Sequence, residues 1–155
     1  MKKANWAKGA YRDTDIHWSK SQGKIHQMLG DLGIYEIRFT NLKDKFVLEF
    51  LAQVNENEKP RAVRIGLPLQ NNTDDERKRE RELNIVHRIL FNHLKAKFVS
   101  IQCGLMEFEQ EFMAHLVIQD GKGNSRTMGE MLLPEYKKRV DEGKGGDFNL
   151  LGNGK

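Results

Sequence analysis

Apolar positions recur along this chain with two different periods, and the switches between them outline the fold. Ser19 and Gln22 form an S-x-x-Q capping box. Behind it Ile25, Met28 and Leu29 recur at helical spacing, with Gly30 and Gly33 placed to stop a short helix. The period then drops to two. In IYEIRFT, Tyr35, Ile37 and Phe39 share one face, against Glu36, Arg38 and Thr40 on the other. In KFVLEFLAQV, Phe46, Leu48, Phe50, Ala52 and Val54 alternate with Val47, Glu49, Leu51 and Gln53. In RAVRIGL, Val63, Ile65 and Leu67 oppose Ala62, Arg64 and Gly66. Alternation of this kind predicts an antiparallel sheet with one covered face, and TNLKDK and NENEKP suit hairpin connections.

After Pro68 the helical period returns. Thr73 and Glu76 form a T-x-x-E capping box, and Leu83, Val86, Leu90, Leu94 and Ile101 lie along one side of a long helix. Its first nine positions, DDERKRERE, hold five acids, four bases and no apolar residue, so this tip is expected to project beyond the core. The β-branched and aromatic run FVSI leaves the helix end open between Phe98 and Cys103, with Gly104 the natural stop. MEFEQEFMAHLVI has helical spacing, DGKGNS reads as a turn, and Thr127 with Glu130 repeats the capping box. Pro134 should interrupt the short helical turn begun there, leaving EYKKRVDEG as a separate final helix. The predicted fold is α+β, in the order α-β-β-β-α-α. It has a short N-terminal helix, a three-stranded antiparallel sheet, a long helix packed on one sheet face, and further C-terminal helices.

Residues 1–18 lack periodicity and read as a basic, aromatic arm; 19–142 read as the domain, and 143–155 as a Gly-rich tail in which Phe148, Leu150 and Leu151 can dock as a hydrophobic clip. At 155 residues, one domain is the expectation. No run of about 18 apolar residues offers a membrane span, and no apolar stretch comes after Lys2 and Lys3 to make a signal peptide. Cys103 is the single cysteine, which rules out an intrachain disulfide and a cysteine metal cluster; it is expected to be a small buried apolar residue. A reducing, cytoplasmic setting is the expectation from that cysteine usage.

The net charge of +4 permits anionic partners without requiring them. Its distribution is more telling, because residues 105–120 carry four acids and no Lys or Arg in an otherwise basic chain.

Catalytic chemistry finds little support. His87 and His93 are six apart and miss the i, i+4 spacing of a helical zinc pair; one Glu111/His115 pair is too few ligands. No histidine neighbours Cys103 in sequence, and no nucleophile elbow is present. GKGNS and GKGG do not lie between a strand and a helix as a phosphate loop must. Glu107, Glu109 and Glu111, two apart, spread around a helix instead of converging. No metal and no cofactor is implied, and an enzyme is the weakest of the readings.

Two binding readings remain open. In the first, the protein associates with nucleic acid. Arg77, Arg81, Arg88 and Lys95 line the side of the long helix opposite its apolar face, over about 27 Å. Trp6, Tyr11 and Trp18 of the arm can stack on bases, and Arg38 and Arg64 add contacts from the open sheet face. In the second, the charged tip at 74–82 and the acidic 105–120 segment dock on another protein or another copy of the chain. The α-β-β-β-α order is similar in topology to double-stranded-RNA-binding domains, and a β-β-β-α core also resembles that of single-strand annealing proteins. The similarity stops at topology. TDDERKRE stands where the first family carries a K-K-x-A-K cluster, and TNLKDK lacks its G-P-x-H character, so no residue role is carried across.

Overall fold

The alternating segments form an antiparallel meander in a computed structural model that describes residues 9, 11–69 and 74–144. Strand β1 is Ile37–Asn41, β2 Lys45–Ala52 and β3 Arg61–Pro68, in the order β1-β2-β3. Register pairs Phe39 with Leu48 and Leu48 with Ile65, and likewise Ile37 with Phe50 and Phe50 with Val63. Because side chains alternate across a strand, this register puts all six on one face. Phe46, Leu48, Phe50, Val63 and Ile65 are buried there, as the alternation predicted.

Helix α1 (Trp18–Asp31) and helix α2 (Glu76–Gln102) cover that face. They run side by side in the same direction. The Trp18 backbone N–H donates to Asn84 Oδ1 at 2.7 Å, and the Lys24 ammonium lies 5.9 Å from the Phe91 ring centre. Farther along, Asp31 and Leu32 share a groove with Phe98 and Gln102. Ile25 and Leu29 from α1, and Leu83, Val86, Leu90 and Leu94 from α2, complete the core. Each such side chain contributes about 1.5–3 kcal/mol on leaving water.

The helix starts differ from the sequence expectation. The cap of α1 is His17, whose Nδ1 accepts from the Ser19 N–H at 3.3 Å, so Ser19 is inside the helix. The cap of α2 is Asp75, whose Oδ1 accepts from the Arg77 and Lys78 N–H groups at 3.1 and 3.3 Å. A carboxylate so placed satisfies two of the unpaired donors of a first turn. Thr73 lies outside the described residues. The other end of α2 settles the open question at FVSI, since the helix continues to Gln102. There Gly104 takes φ 72°, and the N–H groups of Gly104 and Leu105 close on the carbonyls of Ile101 and Ser100.

The last third of the domain departs further. Helix α3 is only Phe108–Phe112, with the 3-10 turn Met113–His115 and a two-stranded hairpin of β4 (Val117–Gln119) and β5 (Ser125–Thr127) after it. The helical spacing of MEFEQEFMAHLVI is overridden because Leu116 bridges Val63 at the open edge of β3. Asp120 holds the hairpin turn, accepting the N–H groups of Lys122 and Asn124 at 2.9 and 2.8 Å. These donors hold its carboxyl below the usual carboxylate range. Helix α4 (Met128–Asp141) then runs unbroken through Pro134. The carbonyl that Pro134 cannot pair belongs to Glu130, an exposed residue where water can serve. The Thr127–Glu130 capping box forms as expected, with reciprocal bonds of 2.8 and 3.2 Å.

Candidate functional site

The start of α2 overshoots α1. From Glu76 to the level of Asn84, where α1 begins, the helix advances about 12 Å. Within this tip the two signs of charge are used differently. Asp75 is the cap, Glu80 reaches His17 at 3.2 Å, and Glu82 is buried. Asp74 and Glu76 stay exposed, as do Arg77, Lys78 and Arg81, while Arg79 donates to the Leu42 carbonyl at 3.2 Å. Of the five acids only Glu82 leaves the surface; Asp75 and Glu80 stay exposed while serving the fold, so the tip remains mixed in sign, with Lys78 3.7 Å from Asp75.

The arm continues this surface. Tyr11 has a left-handed φ of 65° and an exposed ring. The Arg12 carbonyl accepts from Arg81 Nη2 at 3.2 Å, and Asp13 lies 3.8 Å from the same nitrogen. Tyr11, Arg12, Thr14, Ile16 and Arg88 line a shallow cleft of about 480 Å³. The Arg88 guanidinium carbon sits 5.7 Å from the Phe91 ring centre, a cation–π distance. Its Nη1 is buried without an acceptor among the described residues.

The structure thus brings Arg77, Arg81, Arg88, Lys95 and Tyr11 to one side of the domain and separates the other candidates from them. Trp18 packs on the core, its ring 5.6 Å from that of His87 and 5.2 Å from that of His17. Arg38 and Arg64 lie on the opposite face of the sheet, and both bind Glu49. The Arg38 and Arg64 Nε atoms are each within hydrogen-bond distance of its carboxylate, at 2.7 and 2.8 Å. Burial pushes the Glu49 carboxyl up, and the two guanidinium groups together hold it below its usual range. Trp6 lies outside the described residues.

The acidic segment is also committed internally. Glu109 pairs with Arg61 at 2.8 Å and Glu111 with Lys97 at 3.1 Å; the Glu107 side chain belongs to the capping box of α3. Lys97 holds the Glu111 carboxyl below its usual range. Cys103 corrects the sequence expectation. It sits just past the last helical residue of α2 and is exposed, its Sγ 3.5 Å from the Ser100 carbonyl. Ile101 is the last residue of α2 packed on the core, and position 103 lies beyond it, facing water. Among the described residues, no three His, Cys, Asp or Glu side chains gather as a metal would need, and no helix is long and apolar enough to cross a membrane.

His87 was one of five histidines with no evident role in sequence, and it is fully buried. Its Nδ1–H donates to the Leu83 carbonyl at 2.8 Å and its ring lies 4.2 Å from that of Phe46. Burial pushes its pKa down, and burial also lowers those of His93 and His115, whose rings meet edge-on at 6.5 Å. The folded protein therefore favours neutral imidazoles, whereas the unfolded chain takes up protons near its ordinary pKa of about 6.5. Stability is complete above that pH and declines below it as the unfolded state binds more protons. Thermal melts between about pH 7.5 and 5 are expected to show a falling Tm, with a shallower fall in His87→Leu. An unchanged slope in that variant would place the proton uptake elsewhere.

A second concavity was not apparent from the sequence. A cleft of about 690 Å³ lies between α4 and the sheet face that carries Arg64. Val47, Gly66 and Pro68 contribute from the sheet side, and Leu133, Pro134 and Lys137 from α4. The α4 side of the cleft, Gly129, Leu133 and Lys137, recurs every four residues, a helical spacing that a break at Pro134 conceals in the sequence. No protein-family model, curated protein or solved structure matches this chain.

Proposed function

We propose that this protein is a non-catalytic binding module that holds nucleic acid against the outer side of α2. The observation carrying this reading is the alignment of basic side chains along the side of α2 away from its buried stripe, with Arg77, Arg81 and Lys95 exposed and Arg88 half-buried. Arg77, Arg81, Arg88 and Lys95 then succeed one another over about 27 Å of helix, a length suited to tracking a phosphate backbone. Tyr11, exposed beside Arg12, is the aromatic placed to stack on a base. The alternative, in which tip 74–82 docks on segment 105–120 of another chain, has less to work with because Glu109 and Glu111 already hold Arg61 and Lys97.

Fluorescence anisotropy with labelled single- and double-stranded DNA and RNA, at two salt concentrations, tests the proposal. Binding is expected to weaken as salt rises. Arg81→Ala and Arg88→Ala should each weaken it and lower the slope of log K against log salt by about one. Arg38→Ala, on the far sheet face, should leave it unchanged. No binding to any of the four ligands at low salt would remove the proposal.

A further inference from the structure

Helix α4 is 14 residues long and buries no side chain completely. An isolated helix of that length is marginal in water, and most helices are held by the apolar face they pack. Here the attachment is concentrated at the first turn. The Met128 N–H donates to the Leu116 carbonyl at 2.8 Å, and Gly129 lies directly against Ala114. Beyond it, Leu132, Tyr136 and Val140 form a stripe at i, i+4 and i+8, and they are 52%, 63% and 43% exposed. Nothing among the described residues covers this stripe.

We infer that α4 pairs with α4 of a second copy of this chain, antiparallel and about a two-fold axis near Tyr136. The charges beside the stripe favour that occupant. Glu135 and Arg139 lie one turn apart on the same flank and already bond to each other at 3.1 Å. In a two-fold antiparallel pair each flank meets its own copy in reverse order. Arg139 then approaches Glu135 of the partner subunit, and Leu132 meets the partner's Val140, with the tyrosines at the centre. The pattern is self-complementary, as an isologous contact requires. A parallel two-fold pairing would instead set the Glu135/Arg139 flank against the partner's opposite flank, where Leu133 and Lys137 lie in place of complementary charge pairs.

Sedimentation velocity of the full chain, at concentrations up to about 100 μM, provides the test. A concentration-dependent monomer–dimer equilibrium is expected. Tyr136→Glu should abolish it, and because that side chain is exposed the monomer should retain its circular dichroism spectrum. Arg139→Glu should weaken the dimer, and Glu135→Arg combined with Arg139→Glu should restore it. A dimer indifferent to Tyr136→Glu places the contact elsewhere and overturns the inference. So does a monomer at every concentration. In that event, loss of α4 amide protection on truncation after Lys144 would identify the chain's own Phe148–Leu151 segment as the occupant, and unchanged protection would leave the stripe to a different protein.

Discussion

Phe112→Ala is expected to destabilise the domain by about 3–5 kcal/mol, the range for removing a large aromatic from a packed core. Phe112 is fully buried at the meeting of three elements. Its ring lies edge-on to Phe50 of β2 at 5.8 Å, 5.4 Å from Phe98 of α2, and 4.8 Å from Phe108 within α3. The Lys97 ammonium sits 5.4 Å from its centre. Truncation removes the apolar area, the aromatic contacts and the cation–π partner together, and the rigid strand on one side limits collapse into the void. Urea denaturation should show a lower midpoint at an unchanged m value. A loss below about 1 kcal/mol would mean that α3 collapses freely into the space, and that Phe112 does not anchor it.

Gly129→Val is expected to release α4 while leaving the sheet and the α1–α2 layer folded. A Cβ at position 129 would stand 2.7 Å from the Ala114 carbonyl oxygen, and that neighbour is backbone that cannot turn aside. Overpacking of this kind costs about 1–3 kcal/mol, and the branched side chain belongs at the upper end. With no fully buried side chain beyond this contact, α4 has little to offset the loss. Hydrogen exchange should report α4 amides opening to near-unprotected rates while Leu90–Phe98 amides keep theirs. Uniform loss of protection would show that α4 is cooperative with the core. If α4 self-associates as inferred, this variant should also be monomeric.

Legibility tracked the source of each element's stability. The meander and α2 were readable because their burial is one-sided: β2 alternates Phe46, Leu48, Phe50 and Ala52 inward, and α2 steps Leu83, Val86, Leu90 and Leu94. Those patterns are period signals that need no knowledge of a partner. The region after Gly104 was not readable in the same way. Leu116 is drawn into a bridge with Val63, some fifty residues earlier in the chain, and sequence spacing near Leu116 carries no trace of that. Pro134 misled for a related reason, since a proline breaks a helix only where the lost bond has no substitute. At the candidate site the positions on the α2 stripe were visible from helical geometry. The fate of their counter-charges was not. Nothing in DDERKRERE distinguishes a capping Asp75 or a buried Glu82 from an exposed Asp74.

The side-by-side course of α1 and α2 has a kinetic consequence. Trp18 and Asn84, which bond across the helix pair, are 66 residues apart in the chain, with the whole meander between them. The β-hairpins close short loops and can form within microseconds of collapse. Docking α1 on α2 must instead close a long loop before its apolar contacts reward it. The sheet is therefore expected to form early as a template, with the joining of the chain's first helix to its longest one as the slower step that completes the domain.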